Sequence, residues 1–137
     1  AGRRMNDGMG AWVASQIIKL MIKKDIPVNK SRTLVLGFTF KENCPDVRNT
    51  KVKNVVDELR QFGCFVEIYD PWANPEEVLH EYGETLISEF DIANYNTIVV
   101  AVAHDQFKEI DYSKRAKHSV LYDIKAVLPL EIVDGRL

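Results

Sequence analysis

The chain has 137 residues, of which 46% are hydrophobic and 28% are charged, and its formal net charge is −2 at pH 7. This length favours one compact α/β domain, and the composition is that of an ordinary globular protein rather than a disordered one. The charge balance argues against non-specific binding to nucleic acid or to an anionic membrane surface, so any anion site must be local.

The first segment has the pattern of a helix. Four apolar residues recur at helical spacing on one face of residues 8–24, and Pro27 makes continuation of the helix unfavourable: Val13, Ile17, Leu20 and Met21. The sequence enters this helix without an initiator methionine or a capping residue, which we interpret as the start of a piece of a longer protein. We therefore separate residues 1–26 from a domain over residues 27–137.

A βαβ unit follows. Residues 33–40 are β-prone and predict a buried strand, and residues 65–70 predict a second one. Between them lies an amphipathic helix with Asn49 or Thr50 as N-cap and Gly63 as C-terminal stop. The apolar face of this helix is marked by Val52, Val55, Val56, Leu59 and Phe62.

The alternation continues to the end of the chain. A weak helix is predicted over residues 76–82, and strands over residues 97–103 and 120–124. Alternation of this kind predicts an α/β, Rossmann-like parallel sheet with helices on both faces and right-handed crossovers. In such sheets, ligands bind beyond the carboxyl ends of the strands.

The loop that leaves the first strand carries two cations at this edge. Lys41 follows the strand, and Arg48 precedes a helix N-terminus, where free N–H groups and the helix dipole favour an anion. Together they could hold phosphate. The alternative interpretation is that both are solvated charges paired with Glu42 and Asp46.

Gly37 does not begin a GxGxxG motif, because Thr39 and Glu42 stand where the later glycines would fall. The segment is therefore not the primary NAD-binding half of a dinucleotide-binding protein.

Three further polar residues fall at the predicted ligand edge. Asp70 closes the second strand and precedes a proline, which favours a turn-forming role over a ribose-binding one. A general-base role is conceivable for His104, but the sequence places no nucleophile beside it and we favour a structural role. For Lys125, position alone supports a surface lysine and a ligand contact equally.

Cys44 and Cys64 are the only cysteines, and their spacing predicts neither a zinc site nor a redox pair. We interpret both as reduced thiols of a cytoplasmic protein. The longest apolar run, residues 98–103, is too short to cross a bilayer.

The segment from Leu36 to Thr50, LGFTFKENCPDVRNT, closely resembles the C-terminal domain of the UDP-glucose/GDP-mannose dehydrogenase family. The resemblance spans nearly the whole chain and includes YDP at 69–71, AVAHDQF at 101–107, DIK at 123–125 and DGRL at 134–137. Residues 2–9 resemble the end of the long central helix that links the two nucleotide-binding domains of these enzymes.

The resemblance implies an oxidoreductase fragment that binds but does not catalyse. Family members oxidise C6 of a nucleotide sugar in two NAD-dependent steps through a thioester on a cysteine of the central region, and this sequence contains neither that segment nor the GxGxxG domain. Phe40 and Lys41 match positions that contact the UDP-sugar, and Lys125 matches a basic position at the sugar and phosphate site. Arg48 matches the arginine that reaches the NAD pyrophosphate. The full-length enzymes form homo-oligomers.

Within the family, Asn43-Cys44-Pro45-Asp46 and Asn49-Thr50 resemble the branch that acts on UDP-N-acetylhexosamines for capsule or O-antigen precursors more than the UDP-glucose branch. Two other interpretations remain. One is a stand-alone Rossmann-like nucleotide-binding or regulatory module, against which the uncapped first helix argues. The other is a receiver-type signalling domain with Asp70 as phosphoacceptor, although receivers need acids where this chain has Phe40 and Lys41.

Overall fold

A computed structural model describes the backbone of residues 2–137 and the side chains of residues 8–137. Its helices are α1 (Gly2–Lys23), α2 (Val52–Gln61), α3 (Pro75–Tyr82) and α4 (Asp105–Lys108). Its strands are β1 (Arg32–Leu36), β2 (Phe65–Tyr69), β3 (Thr97–Val100), β4 (Val120–Asp123) and β5 (Gly135–Arg136). Short 3₁₀ turns occupy Ile92–Asn94, Tyr112–Lys114 and Leu130–Ile132.

The five strands form one sheet in the order β2-β1-β3-β4-β5, and every neighbouring pair is parallel. The predicted parallel α/β fold is therefore confirmed. The chain moves from β1 outward to β2 and then returns to place β3 on the other side of β1. The loops after β1 and β3 thus flank the point where strand order reverses, which is where ligands bind in open α/β sheets.

One face of the sheet is covered by α1 and α2. Among the described residues, the buried face of α1 includes Val13, Ala14, Ile17, Ile18 and Met21, and that of α2 is formed by Val52, Val55, Val56 and Leu59. These side chains share one hydrophobic cluster with Val35, Val99 and Tyr122 of the sheet. The predicted apolar faces are confirmed with one exception: Phe62 lies just beyond the end of α2 and is 44% exposed.

The opposite face is covered by short elements instead of long helices. Phe107 of α4 and Tyr112 of the following turn lie in a second cluster with alternate strand residues such as Leu34, Ile98 and Leu121. Because side chains alternate across a strand, Leu34 and Val35 reach different clusters. Both faces of the sheet are therefore buried, which explains why the strands are apolar at nearly every position.

The predicted end of the first strand is wrong. β1 ends at Leu36, not Phe40, because Gly37 adopts a φ of 102° and a Cβ there would lie 2.6 Å from the Cβ of Val102. Only glycine tolerates both the left-handed conformation and that close approach. Phe40 and Lys41 therefore lie in the connection from β1 to α2 and not at a strand end.

The predicted stop of α2 at Gly63 is confirmed, but the predicted N-cap at Asn49 or Thr50 is wrong, because the helix begins one residue later and Lys51 is its N-cap. The Oγ1 of Thr50 accepts a hydrogen bond from the Val52 amide at 3.2 Å, while Lys51 makes no side-chain capping bond. Gly63, with a φ of 102°, donates its amide to the Arg60 carbonyl and ends the helix.

The part of the family resemblance carried by residues 2–7 rests on side chains outside the described range. Among the described residues, no helix is long and apolar enough to span a bilayer.

Candidate functional site

A cleft of about 250 Å³ opens at the carboxyl ends of β1, β3 and β4. Its lining is mostly apolar and comes from α1, α2 and the segments after these strands; it includes Gly10, Phe40, Val55, Val102 and Ile124. The structure brings Phe40 and Lys125 together here, although 84 intervening positions separate them in the sequence. Two of the residues predicted to contact a UDP-sugar therefore line the same cleft.

Lys125 is presented by a turn that the buried side chain of Asp123 organises. One Asp123 carboxylate oxygen accepts the Lys125 amide at 3.2 Å and the other accepts the Leu128 amide at 2.8 Å. Ala126, between these two residues, takes a left-handed φ of 57°. The turn holds the Lys125 backbone at the cleft while its side chain stays exposed to solvent.

Lys51 also lines this cleft, and the sequence reasoning missed it. It lies directly before the first residue of α2, where the helix dipole adds to its own positive charge. Of the described residues that line the cleft, the charged side chains are Lys51 and Lys125. The sequence shows only that Lys51 precedes a predicted helix, and this position does not distinguish a lysine that contacts a ligand from any other exposed lysine.

Lys41 and Arg48 lie in a second, more open depression of about 470 Å³, whose lining also includes Phe40, Cys44 and Asp46. Lys41 and Lys125 thus share one edge of the sheet but not one depression. Phe40 forms part of the wall of both. The single phosphate site that Lys41 and Arg48 suggested is therefore separate from the Lys125 cleft.

Arg48 pairs with Asp46, as the alternative interpretation predicted. The Nε atom lies 3.0 Å from one Asp46 oxygen and Nη2 lies 3.2 Å from the other. The hydrogen bond from the Arg48 side chain holds the pKa of Asp46 below its ordinary value. The Arg48 side chain is 81% exposed, and exposed ion pairs of this kind are weak, so a phosphate can replace the carboxylate.

Asp70 is a buried carboxylate with five hydrogen-bonding neighbours. Its Oδ2 accepts the amides of Phe38 and Thr39 and lies 3.1 Å from the His104 Nε2, and its Oδ1 accepts the amides of Trp72 and Ala73. Burial would raise its pKa, but the bonds from His104 and the Phe38 amide outweigh burial and hold it below its ordinary value. The turn-forming role is confirmed. A phosphoacceptor needs a free, accessible oxygen, so the receiver interpretation does not fit this geometry.

His104 is also fully buried, which confirms its structural role. Its Nδ1 accepts the Asn43 amide at 2.9 Å, and its Nε2 lies 3.1 Å from the Thr39 Oγ1. A general base must reach the proton that it removes, and every ring nitrogen here already has a protein partner. Both cysteines are free thiols, and no cluster of metal-ligating side chains occurs among the described residues.

A doubly wound parallel sheet with a cleft at its point of strand reversal defines a nucleotide-binding type of α/β domain. Residues 34–129 match the profile of the UDP binding domain of the UDP-glucose/GDP-mannose dehydrogenase family. The chain belongs to this family.

Relatives with known names cover the chain almost completely. It is 53% identical to the UDP-N-acetyl-D-glucosamine 6-dehydrogenase of Salmonella typhi over 100% of its own length and 33% of that protein. The corresponding Pseudomonas aeruginosa enzyme is 46% identical with the same coverage, and protein CapL of Staphylococcus aureus is 37% identical over 93% of the chain. The chain spans about a third of the length of these relatives.

Solved structures confirm the fold. The UDP-D-ManNAc dehydrogenase of Pyrococcus horikoshii matches with a TM-score of 0.76 at 24% identity, covering 98% of this chain and 31% of that one. The native UDP-N-acetyl-mannosamine dehydrogenase Cap5O of Staphylococcus aureus matches with a TM-score of 0.74 at 22% identity, covering 98% and 32%.

Proposed function

We propose that this chain is the nucleotide-sugar-binding part of an NAD-dependent UDP-N-acetylhexosamine 6-dehydrogenase, an oxidoreductase of polysaccharide biosynthesis. Residues 1–26 are the end of its linking helix and residues 27–137 its binding domain. The observation that carries the proposal is the cleft at the point of strand reversal, in which an aromatic ring and two lysines surround an apolar floor.

The chemistry of the cleft suits a nucleoside diphosphate. A base or sugar ring offers flat apolar surface for Phe40 and the aliphatic floor, and a diphosphate offers negative charge for Lys51 and Lys125. The cleft volume of about 250 Å³ lies just below the usual range of roughly 300–1,000 Å³ for small-molecule sites. It therefore takes part of a nucleotide sugar and leaves the rest for other regions of a longer enzyme.

The residues present fit one contact to NAD and not a whole cofactor site. Arg48 is exposed beside Lys41, and its planar guanidinium already holds a carboxylate in the two-pronged geometry that also suits a phosphate. The sequence has no GxGxxG loop to hold a pyrophosphate by its backbone. NAD, when bound by a complete enzyme, supplies the hydride acceptor, and Arg48 would help to hold its pyrophosphate.

The choice of sugar follows the named relatives. The two at 53% and 46% identity act by name on UDP-N-acetyl-D-glucosamine, whereas the UDP-N-acetyl-D-mannosamine dehydrogenase of Methanococcus vannielii is 33% identical. This favours UDP-N-acetyl-D-glucosamine over other N-acetylhexosamines. The resemblance further implies a cytoplasmic homo-oligomer that makes capsule or O-antigen precursors.

The test is isothermal titration of the chain with UDP. We expect Lys125→Ala and Phe40→Ala each to weaken binding roughly tenfold to a hundredfold, which corresponds to about 1.5–3 kcal/mol. Lys117→Ala is the matched control, because this exposed lysine lies before β4 whereas Lys125 follows it. Equal affinity for all four proteins would refute the cleft as the UDP site. A stand-alone module for another nucleotide would instead bind ADP or GDP as tightly as UDP.

A further inference from the structure

The buried ring of His104 joins the segments that follow three neighbouring strands. It belongs to the segment after β3, and it contacts Asp70 directly after β2 and both Thr39 and Asn43 after β1. These strands are adjacent in the order β2-β1-β3. One side chain therefore connects the backbone of the cleft loop to the two strands that flank it.

The hydrogen bonds determine the tautomer of the ring. A backbone N–H can only donate, so the Asn43 amide requires an unprotonated Nδ1 as its acceptor. The ring proton is then on Nε2, where the Asp70 carboxylate accepts it. The Thr39 hydroxyl donates to the Lys41 carbonyl at 2.9 Å, so its oxygen is also free to accept from Nε2. His104 is therefore a neutral connector with both nitrogens in use.

A second bond reinforces the connection in the opposite direction. The Oδ1 of Asn43 accepts the Asp105 amide at 3.1 Å, so residues 43 and 104–105 are joined twice. Asn43 takes a left-handed φ of 54°, a conformation that asparagine tolerates better than most residues. The ring itself lies beside Trp72 and Phe107, with centroids 6.1 and 5.3 Å away, which restricts its rotation.

We infer that His104 is a positioning residue for nucleotide binding, which holds residues 39–43 in the conformation that places Phe40 in the cleft. His104 forms hydrogen bonds with Thr39 and Asn43, and Phe40 and Lys41 lie between these two residues in the loop. The inference rests on the proposed function, because it concerns affinity for the same ligand. Pre-ordering of the loop lowers the conformational entropy that UDP binding must otherwise overcome.

Three substitutions separate this role from simple core packing. His104→Asn puts an acceptor near the position of Nδ1 and keeps the Asn43 bond, His104→Gln keeps a donor near Nε2 and loses that bond, and His104→Phe loses both. All three remove buried polar contacts and lower stability. We expect UDP affinity to fall about tenfold in the Gln and Phe variants, and to stay within about threefold of wild type in the Asn variant. Affinity that instead follows stability through the series overturns the inference.

A surface variant tests the same connection without disturbing the core. Asn43→Gly keeps the left-handed backbone and loses the Asp105 bond, and Asn43 itself is exposed. Lys30→Gly is the matched control, since Lys30 is exposed, has a φ of 65° and lies before β1, at the end of the sheet opposite the cleft. We expect UDP affinity to fall about threefold to tenfold for Asn43→Gly and not for Lys30→Gly.

Exchange of the Asn43 amide with solvent, followed by NMR, provides a readout without ligand. It should accelerate in His104→Gln and stay slow in His104→Asn. If wild-type protein does not bind UDP, both the proposed function and this inference fail. If wild type binds UDP and His104→Gln and Asn43→Gly bind equally well, only the inference fails.

Discussion

Gly10 of α1 lies directly against Asn54 of α2. A Cβ at position 10 would be 2.8 Å from the Asn54 Cβ and 3.0 Å from its carbonyl carbon. Gly10 also lines the cleft, so this close contact between the two helices lies beside the candidate ligand site.

We expect Gly10→Ala to destabilise the fold by about 1–3 kcal/mol, because the added methyl group forces the two helices apart. Gly8→Ala is the control in the same helix, since a Cβ at position 8 meets nothing within 4 Å. There the higher helix propensity of alanine should be neutral or stabilising by up to about 1 kcal/mol. Urea denaturation of both variants checks this, and equal midpoints would contradict the close contact.

Stability should depend on the ionisation of Glu84. Its Oε2 lies 2.6 Å from both the Lys53 Nζ and the Arg60 Nη1, and its side chain is 4% exposed. Burial alone would raise its pKa, but the bonds from Arg60 and Lys53 outweigh burial and hold the pKa below the ordinary value of 4.5. The folded pKa is lower than the unfolded one, so this contribution is complete above about 4.5 and is lost as the pH falls through the folded pKa.

Glu84→Gln should therefore lower the free energy of unfolding at neutral pH by about 1–3 kcal/mol, and the difference from wild type should shrink on acidification below 4.5. Denaturant titration across this pH range measures it. Glu131→Gln, at an exposed position, should change little at any pH. A pH-independent difference would mean that Glu84 acts through shape and not through charge.

In an enzyme long enough to carry an NAD-binding domain, substitutions of Lys41 and of Arg48 should affect the binding of different ligands. Lys41→Ala should weaken UDP-sugar binding by about 1.5–3 kcal/mol, because it removes a charge-assisted contact. Arg48→Ala should raise the KM for NAD and leave binary UDP-sugar affinity nearly unchanged. If both were solvated ions only, the changes would stay within about 0.5 kcal/mol for either ligand. Titration calorimetry with UDP-N-acetylglucosamine and steady-state titration of NAD distinguish the two cases.

The 137-residue chain by itself should reduce no NAD when supplied with UDP-N-acetylglucosamine. Its cysteines are the buried Cys64 and the half-buried Cys44, which borders the depression of Arg48 and not the Lys125 cleft. Spectrophotometric assay for NADH against a protein-free blank measures this. NADH formation by purified chain would show that a nucleophile and a cofactor site are present within these residues.

The spacing of apolar residues predicted most of the fold, because the residues that are buried determine that spacing. The spacing of Val13, Ile17 and Met21 identified the buried face of α1, and apolar runs located β1, β3 and β4. Strand ends were poorly predicted. Thr39 and Phe40 are β-prone, but their amides donate to the Asp70 carboxylate and to the Asp46 carbonyl instead of to a neighbouring strand. β5 has two residues, too few for any periodicity to show.

The site was predicted in part, and the missing part is long-range. Position at strand ends identified the loops of Phe40 and Lys125, while the family resemblance chose the residues within them. The contact between Asp70 and His104 spans 34 positions and depends on strand order, which periodicity does not reveal. The left-handed conformation of Asn43 and Asn49 could be anticipated, because asparagine is enriched at such positions, but the residues with which they form hydrogen bonds could not.

The packing of α1 affects how the cleft meets its ligand. The helix shares one hydrophobic cluster with α2 and the sheet, so its amides from Val13 to Met21 should resist hydrogen exchange until the whole domain opens. Met9 and Gly10, one turn earlier, contribute a wall of the cleft. A wall anchored in this way keeps its position while the cleft is empty, so an incoming nucleotide has to order the side chains of Lys51 and Lys125 but not the helix beside them.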